Sequence, residues 1–392
     1  MKVLHINTFG NLSTGRIASD ICRTLRENGH EGMVAFSRNT IDKDIPHFQF
    51  GSKWSVYADG VMTRLTDRAG FYSSGPTKQL IRKIKEYDPD IIHLHNLHGY
   101  YVNIEMLFNY LKASGKPVVW TLHDCWPFTG HCTHFDYVGC QKWQTGCHDC
   151  PQKHEYPKSY LVDNSKWNWE KKRNLFTSLD KMVVVTPSHW LADLVQKSFL
   201  QKYPVEVIHN CVDMNVFKPT YGTWVKDHGL ENKKIVLGVA SKWSRRKGLV
   251  DLVKLSSMLP DEYKIVVVGV DDRQLKALPP KILGIKRTYN VKELAEIYTA
   301  AHVFVNPTYE DNFPTDNLEA LACGTPVITY NTGGSPEVIN EQTGKIVVSG
   351  NIEALLDVIL TINFDSKECI KSMNSFNRIK SYLHYIELYD SF

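Results

Sequence analysis

The amino-acid sequence predicts an α/β fold made of two doubly wound parallel-sheet domains. The chain has 392 residues, which is more than one typical hydrophobic core accommodates. Short β-branched runs alternate with amphipathic helical stretches, and this alternation is typical of parallel sheets covered on both faces. The alternation begins near residue 3 and starts again near residue 234. Two units of the same class are therefore expected.

The first predicted domain covers residues 1–215. The run "VLHIN" is typical of a buried strand, and the amphipathic stretch that follows it is predicted to be a helix ending at Gly29. Further strands are predicted in the apolar runs 90–95, 117–124 and 181–188. A Cys-rich insertion at 125–165 interrupts the alternation.

The second predicted domain covers residues 216–370. Its predicted strands are the runs "KIVLGVAS", "YKIVVVGV", "ILGIKR", "HVFVNP" and "PVITYN". The linker is placed in 209–224, which has no clear period and contains Pro and Gly. The last segment, 371–392, is predicted to be a helix that crosses back to the first domain.

Charge and hydropathy exclude several classes of protein. Lys and Arg number 46 and Asp and Glu 42, so the formal net charge is only +4. This near balance of charges does not indicate a nucleic-acid-binding surface, and no nucleic-acid partner is expected. No apolar run reaches the ~18 residues that span a bilayer, and the start "MKVLHINTFG" lacks a signal peptide. A cytoplasmic protein is expected, with peripheral contact at the inner face of the membrane left open.

The stretch "EDNFPTDNLEALACGTPV" places acids around a predicted helix start. Glu310, Asp311 and Asp316 precede the helix, and Glu319 lies in its first turns. Free N–H groups at such a start bind phosphate, and an acid one turn later can bond ribose hydroxyls. The alternative is a capping box formed by Asp316 and Glu319.

The stretch "SKWSRRKGL" gathers cations between a predicted strand and a helix. Cations beside a helix N-terminus oppose the helix dipole, so stability alone explains them poorly. A diphosphate explains them better, because charge-assisted bonds from Lys and Arg neutralise it. The alternative is a solvated basic turn. The cations are Lys242, Arg245, Arg246 and Lys247.

Together these motifs resemble the retaining glycosyltransferases of family 4, most specifically over 234–348. That family has the GT-B fold, in which two Rossmann-like domains face each other across a cleft that takes a nucleotide sugar. Its signature is two acids separated by seven residues, then Glu-Ala, Gly-x-Pro-Val and a Gly-Gly turn. Asp311 and Glu319 have that separation, with Asp in place of the usual Glu and Glu310 as an extra acid.

The resemblance implies roles for the second domain. Glu319 would hold the ribose, and Lys247 followed by Arg246 would bind the diphosphate. Lys242 stands where the family usually has Arg. The loop that begins with Glu310 and Asp311 would face the sugar and the β-phosphate, and its other members are Asn312, Phe313, Pro314 and Thr315.

The resemblance also implies roles for the first domain. Gly15, in "NTFGNLSTGRIA", would lie near the donor phosphates, and His123 would contact the donor sugar. The expected catalytic residues are then His123, Glu310, Asp311 and Lys247. The run "IIHLHNLHGYY" places His93, His95 and His98 on the acceptor side, with structural packing as the alternative.

A cysteine cluster follows His123. The spacing C-x₇-C-x₆-C-x₂-C ends in a zinc half-knuckle, and four thiolates suit tetrahedral Zn²⁺. A long irregular loop also needs such a constraint. An iron–sulfur cluster, redox disulfides and free thiols are the alternatives. The candidate ligands are Cys132, Cys140, Cys147 and Cys150.

The predicted function is a retaining glycosyltransferase that moves a sugar from a UDP- or GDP-sugar to a glycan or lipid-linked acceptor. Similarity to the bacterial exopolysaccharide and colanic-acid-type subset implies surface polysaccharide biosynthesis. No catalytic metal is expected, because the resemblance to GT-B enzymes implies that the Asp-x-Asp metal site is absent; Asp271 and Asp272 are adjacent and do not have that spacing. The alternatives are a nucleotide-sugar epimerase on the same fold, a zinc-stapled binding module and a degenerate transferase.

Overall fold

The structure is a computed structural model that describes residues 1–12 and 14–392. The chain divides into two compact units. Unit 1 consists of Met1–Ile208 and Tyr382–Phe392, and unit 2 consists of His209–Ser381. Unit 1 thus ends at Ile208, whereas the predicted first domain ended at residue 215, and most of the last helix belongs to unit 1.

Unit 1 is built on a seven-stranded sheet in the order β3-β2-β1-β4-β5-β6-β7. All of its strand pairs are parallel. The strands are β1 (Lys2–Phe9), β2 (Glu31–Arg38), β3 (His47–Gln49), β4 (Ile91–Leu94), β5 (Val118–Thr121), β6 (Met182–Thr186) and β7 (Val205–Val207). The order reverses between β1 and β4, where ligands of such sheets bind beyond the carboxyl ends of the strands.

Helices connect the strands of unit 1. They are α1 (Thr14–Glu27), α2 (Lys53–Thr66), α3 (Ser74–Tyr87), α4 (Ile104–Ser114), α5 (Ser165–Phe176) and α6 (His189–Gln196). Every residue of β4 and β5 is buried, as expected for strands covered on both faces. An aromatic cluster of Phe108, Trp120 and Phe176 fills the core between the sheet and α4 and α5.

Unit 2 repeats this architecture with six parallel strands in the order β10-β9-β8-β11-β12-β13. The strands are β8 (Lys234–Val239), β9 (Tyr263–Val268), β10 (Ile282–Ile285), β11 (Val303–Asn306), β12 (Val327–Tyr330) and β13 (Gly344–Val347). The helices are α7 (Trp224–Asp227), α8 (Leu249–Met258), α9 (Asp272–Ala277), α10 (Val291–Ala300), α11 (Thr315–Ala322), α12 (Ile352–Thr361) and α13 (Ser366–Ser372). Here the reversal lies between β8 and β11.

The last helix, α14 (Arg378–Asp390), begins in unit 2 and ends in unit 1. Tyr389 and Tyr385 of α14 are buried. Their hydroxyls bond to polar side chains of the unit 1 sheet, Tyr389 to His93 Nδ1 at 2.6 Å and Tyr385 to Thr121 Oγ1 at 3.2 Å. These bonds fix the end of the chain on unit 1.

Membrane spanning was tested on the helices of the described residues, and none combines the length and the apolar character that a crossing requires.

Candidate functional site

The basic turn and the acidic loop meet at the carboxyl edge of the unit 2 sheet, where the strand order reverses. The basic turn follows β8 and the acidic loop follows β11, and these strands are neighbours. The Tyr309 N–H donates to the Arg246 carbonyl at 2.7 Å. Gly248 has a φ of +74°, and a Cβ there would lie 2.1 Å from the Pro307 carbonyl oxygen. Only glycine therefore lets the two segments approach this closely.

Lys247 and Asp311 form the central ion pair of this site. Nζ of Lys247 lies 2.7 Å from Oδ2 of Asp311, and the side chains are 15% and 19% exposed. Burial lowers the pKa of Lys247, but the negative charges of Asp311 and Asp316 outweigh it, so that the pKa is raised. Lys247 is therefore a fixed positive charge at the strand end.

The other two cations differ in their surroundings. Arg246 Nη1 donates to the Glu310 carbonyl at 2.9 Å, and Glu310 is itself buried. Arg246 is half-buried, whereas Lys242 is exposed. The geometry thus brings Arg246 and Lys247 to the acidic loop and leaves Lys242 at its periphery.

The helix after the acidic loop has no side-chain cap. α11 begins at Thr315 with Pro314 as its N-cap, which makes no side-chain cap bond, and the Asn317 N–H donates to the Pro314 carbonyl at 3.3 Å. The alternative prediction of a capping box is therefore wrong, because Pro314 offers no side-chain acceptor and the helix starts one residue before Asp316. Burial raises the pKa of Asp316 to about 6, against the opposing charge of Lys247 and with the support of Asp311.

Glu319 lies half-buried inside α11. The hydroxyl of Tyr298, a fully buried residue of α10, donates to Glu319 Oε2 at 3.2 Å. Burial first, and then the charge of Glu319, raise the pKa of Tyr298 well above its usual range. Tyr298 therefore stays a donor and orients the carboxylate.

The Gly-Gly turn after β12 closes around Asp311. The Gly334 N–H donates to the Asp311 carbonyl at 3.2 Å. Gly333 has a φ of +55°, and a Cβ there would lie 1.8 Å from the same oxygen. The turn therefore requires glycine and holds the backbone of the acidic loop in place.

Two asparagines beneath the acidic loop belong to no motif that the sequence analysis recognised. Asn306 Nδ2 donates to Asn317 Oδ1 at 2.8 Å, and Asn317 Nδ2 donates to the Ser335 carbonyl at 3.3 Å. They join β11, α11 and the turn after β12. Their pairing depends on three separate segments, so a local pattern could not show it.

The remaining loop residues are buried to different degrees. Phe313 is 3% exposed and packs against the Phe376 ring at 5.9 Å between centroids. Its side chain belongs to the core, so it could contribute to a ligand site only through its backbone. Asn312 is buried and Thr315 is exposed.

In unit 1, three histidines form a hydrogen-bonded chain that ends at His123. His123 Nε2 lies 3.1 Å from His95 Nδ1, and His95 Nε2 lies 3.1 Å from His5 Nδ1. Burial lowers the pKa of His5 to about 3, and burial with the charge of His98 lowers that of His123 to about 4, against the raising charge of Asp124. All three are therefore neutral at physiological pH.

The predicted acceptor-side histidines separate into two environments. His93 and His95 are fully buried, and His93 Nε2 bonds to Thr121 Oγ1 at 2.8 Å, so packing explains both. His98 differs, because its Nε2 lies 2.6 Å from Asp124 Oδ2 and its Nδ1 3.0 Å from the Tyr156 hydroxyl. Among the three predicted acceptor-side histidines, only His98, through its contact with Asp124, resembles part of a polar binding site.

Gly15 lies at the start of α1, in the loop predicted to face the donor phosphates. A Cβ on Gly15 would meet the Phe9 carbonyl oxygen at 2.5 Å, so the helix packs closely on the end of β1. Ser13, in the same loop, lies outside the described residues.

The four cysteines of the cluster line one small cavity in the loop between β5 and α5. Cys132 is buried, and the other three are half-buried. The side chains of Cys132 and Cys150 are in hydrogen-bond contact. The structure thus brings together the residues that the spacing singled out.

Comparisons with known proteins identify the family of this chain. The family described as "Glycosyltransferase Family 4" matches residues 14–216, and "Glycosyl transferases group 1" matches residues 221–376. A relative is the putative colanic acid biosynthesis glycosyl transferase WcaC of Escherichia coli K12. It is 26% identical over 344 residues, covering 84% of this chain and 80% of WcaC.

Two solved structures share the fold. Sucrose-phosphate synthase from Thermosynechococcus elongatus has a TM-score of 0.73 at 16% identity, covering 100% of this chain and 98% of that one. HepE of Anabaena in complex with UDP has a TM-score of 0.69 at 15% identity, covering 100% of both chains. The predicted class, with two Rossmann-like parallel-sheet units as in GT-B proteins, is confirmed. The chain belongs to glycosyltransferase family 4 and is a glycosyltransferase.

Proposed function

We propose that the protein is a retaining glycosyltransferase whose UDP- or GDP-sugar donor binds to unit 2. The observation that carries this proposal is the pairing of Lys247 and Asp311 beside the uncapped N-terminus of α11. A cation, a carboxylate and the N-terminus of a helix at one strand edge suit a ligand with a diphosphate and hydroxyls. HepE, which shares the fold, was solved with UDP and with UDP-glucose.

The diphosphate is assigned to Lys247, Arg246 and the first N–H groups of α11. These groups would stabilise the charge that develops on the leaving diphosphate, which is electrostatic catalysis by preorganised donors. Lys242 is exposed and would contribute at the edge of the phosphates. No catalytic metal is needed for this step. Asp271 caps α9 and Asp272 pairs with Lys286, so both acids have structural roles.

The nucleoside is assigned to Glu319. The hydroxyl of Tyr298 orients the carboxylate of Glu319, which would accept hydrogen bonds from the ribose hydroxyls. A carboxylate that accepts two hydroxyl donors is a strong and specific anchor. The base lies beyond this contact and decides between UDP and GDP.

The donor sugar is assigned to the acidic loop of unit 2. Asp311 and Glu310 with Asn312 and Thr315 would bond the sugar hydroxyls. His123 is neutral, and its Nε2 is engaged by His95. The contact of His123 with the sugar stays a prediction from the family resemblance. No protein nucleophile is assigned, and a front-face transfer retains the anomeric configuration.

The acceptor is proposed to be a glycan or lipid-linked intermediate of a surface polysaccharide. The support is the similarity to WcaC, whose name refers to colanic acid biosynthesis. An acceptor of this kind lies at a membrane, and α2 offers an exposed face that could dock there. Its exposed apolar residues recur at helical spacing and are Trp54, Tyr57, Val61, Met62 and Leu65.

Vesicle binding tests the membrane part of the proposal. We expect the protein to sediment with anionic phosphatidylglycerol vesicles, and Trp54→Glu to abolish this, because Trp54 is 81% exposed on α2. Tyr289→Glu is the matched control, since Tyr289 is 96% exposed on unit 2. No sedimentation of the unmodified protein would refute membrane contact without touching the donor assignment.

The donor assignment is tested by a thermal-shift screen against UDP, GDP and their sugars, with and without EDTA. One nucleotide family should raise the unfolding midpoint in both conditions. NMR then identifies which anomer of the free sugar is released first when the enzyme slowly hydrolyses the donor. This anomer shows whether the anomeric configuration is retained. An inverted anomer would refute the retaining mechanism, and release of an epimerised free sugar would favour the epimerase.

A further inference from the structure

The loop between β5 and α5 is long and has little regular structure. Residues 129–164 contain only two short 3₁₀ turns, Asp136–Val138 and Lys142–Gln144, in this fully described segment. The rings of Phe135 and Trp143 stack at 4.9 Å between centroids, and both are buried. A loop of this length with so few backbone bonds needs an additional constraint to keep one conformation.

The four cysteines surround a cavity of about 10 Å³. This volume holds one water-sized particle. It accommodates a single ion and excludes a cluster of several iron and sulfur atoms. The lining cysteines are Cys132, Cys140, Cys147 and Cys150.

Hydrogen bonds already orient two of these cysteines. The Gly130 N–H donates to Cys147 Sγ at 3.1 Å, and the Cys150 N–H donates to Asp163 Oδ2 at 2.5 Å. A Cβ on Gly130 would lie 2.1 Å from the Ser165 carbonyl oxygen, so the N–H···S bond depends on glycine. Amide donors to sulfur stabilise a thiolate more than a thiol.

A buried lysine lies beside the cluster. Lys172 is 1% exposed, and its Nζ donates to the carbonyl oxygens of Trp126 at 2.9 Å and Thr129 at 3.1 Å. Within residues 1–12 and 14–392, no carboxylate forms an ion pair with it. Cys147 and Cys132 are its strongest electrostatic partners. Burial lowers the pKa of Lys172 to about 7, so an adjacent anion would favour its protonated form, and four thiolates on Zn²⁺ supply a net charge of −2.

We infer that the cavity is a structural zinc site in which Cys132, Cys140, Cys147 and Cys150 bind one Zn²⁺ as thiolates. Four thiolates close the tetrahedron and leave no position for a substrate or a reacting water. Each thiol releases its proton to solvent when the metal binds.

Metal binding must draw the sulfur atoms together. Within this described loop, no three of the four lie within 4.8 Å of one another. Zn–S bonds of ~2.3 Å place tetrahedral sulfurs about 3.8 Å apart. The lining residues lie on turns and irregular backbone, so side-chain rotation and a small loop closure can achieve this.

The site would support the polar pair of unit 1. Tyr156 follows Cys150 by six positions, and its hydroxyl bonds to His98 Nδ1 at 3.0 Å. His98 in turn bonds to Asp124 at 2.6 Å. The zinc ion would thus fix the loop that holds His98, and this role is independent of the donor site on unit 2.

Metal analysis of the purified, unmodified protein tests the inference. We expect about one zinc ion per chain, as for a closed tetrahedral site. Cys150→Ser and Cys132→Ser should lose at least about four-fifths of it, since each removes one of four ligands. Cys211→Ser is the matched control, because Cys211 is half-buried in unit 2, and it should keep the full content. Cobalt substitution should give the visible bands of tetrahedral thiolate coordination.

Every other outcome overturns the inference. Zinc below about one-tenth of an ion per chain with four reactive thiols would show free cysteines. Iron with sulfide, or a mass that reveals disulfides, would assign the cluster to those chemistries. Because the unmodified protein is measured first, a variant that fails to fold does not leave the question open.

Discussion

Lys247 Nζ lies 2.7 Å from Asp311 Oδ2, and both side chains are mostly buried at the edge of the unit 2 sheet. The pair joins the only two loops that leave the sheet at its reversal, one after β8 and one after β11. In the proposed donor site, Lys247 attracts the diphosphate while Asp311 orients Lys247 and faces the sugar. The two residues should therefore affect different parts of the donor.

Replacing Lys247 should weaken nucleotide binding. For Lys247→Met we expect the Kd of the preferred nucleoside diphosphate to rise about 10- to 100-fold, because a charge-assisted bond to phosphate is lost. Calorimetric titration measures this. Lys254→Met, which removes an exposed lysine of α8, should leave the Kd unchanged. Equal affinities of Lys247→Met and the unmodified protein would remove Lys247 from the site.

Replacing Asp311 should separate binding from transfer. Asp311→Asn keeps the shape of the side chain and frees Lys247 from its ion pair. We therefore expect nucleoside diphosphate binding within about threefold of the unmodified protein, and sugar transfer at least about tenfold slower. A loss of nucleotide affinity with transfer otherwise intact would contradict the assignment of Asp311 to the sugar.

Asp316 should lower the free energy of unfolding at neutral pH. Its carboxyl releases a proton near 3.8 when unfolded but near 6 when folded. The folded state thus binds more protons between these values, and the free energy of unfolding falls as the pH rises through this window. Asp316→Asn removes this effect and should stabilise α11 at pH 7 by about 1–3 kcal/mol.

Hydrogen exchange of peptides from α11, measured at pH 5 and pH 7, checks this expectation after correction for intrinsic rates. The protection that Asp316→Asn gains over the unmodified protein should be larger at pH 7 than at pH 5. A variant that is equally or less protected at pH 7 would show that Asp316 is well compensated by Lys247.

The histidine chain should make unit 1 sensitive to acid. The folded-state pKa values of His5, His93, His95 and His123 are all lowered, chiefly by burial. The stability that these neutral groups contribute is complete above about pH 6.5 and is lost as the pH falls below it, by about 1.4 kcal/mol per pH unit for each histidine. His95→Gln should therefore unfold with a shallower pH dependence.

Urea unfolding between pH 7 and pH 5, followed by exchange of β4 peptides, measures that slope. His384→Gln serves as the control, since His384 is exposed on α14. Identical slopes for all three proteins would mean that the chain takes up protons without unfolding.

The alternation of strands and helices predicted the fold because it depends on local periodicity. The strand ends bearing His5, His95 and His123 could also be found in the sequence. That they touch follows only from the sheet order, which makes β1, β4 and β5 neighbours. Sequence spacing cannot show this order.

Other features depend on tertiary contacts that no local pattern reports. The contact of Tyr298 with Glu319 joins two helices. Phe313 is buried although it belongs to a polar loop, and the sequence of that loop does not predict its burial. The capping box was suggested by spacing alone, and the start of α11 at Thr315 removed it.

Calorimetric titration of UDP and GDP into the unmodified protein, Glu319→Gln and Glu353→Gln tests the central claim most directly. Glu353 lies exposed in the first turn of α12 and is the matched control. We expect one nucleotide to bind with one site per chain, Glu319→Gln to weaken it at least about tenfold, or about 1.4 kcal/mol, and Glu353→Gln to leave it unchanged. Binding of neither nucleotide, or equal binding to all three proteins, would contradict a nucleotide-sugar site on unit 2.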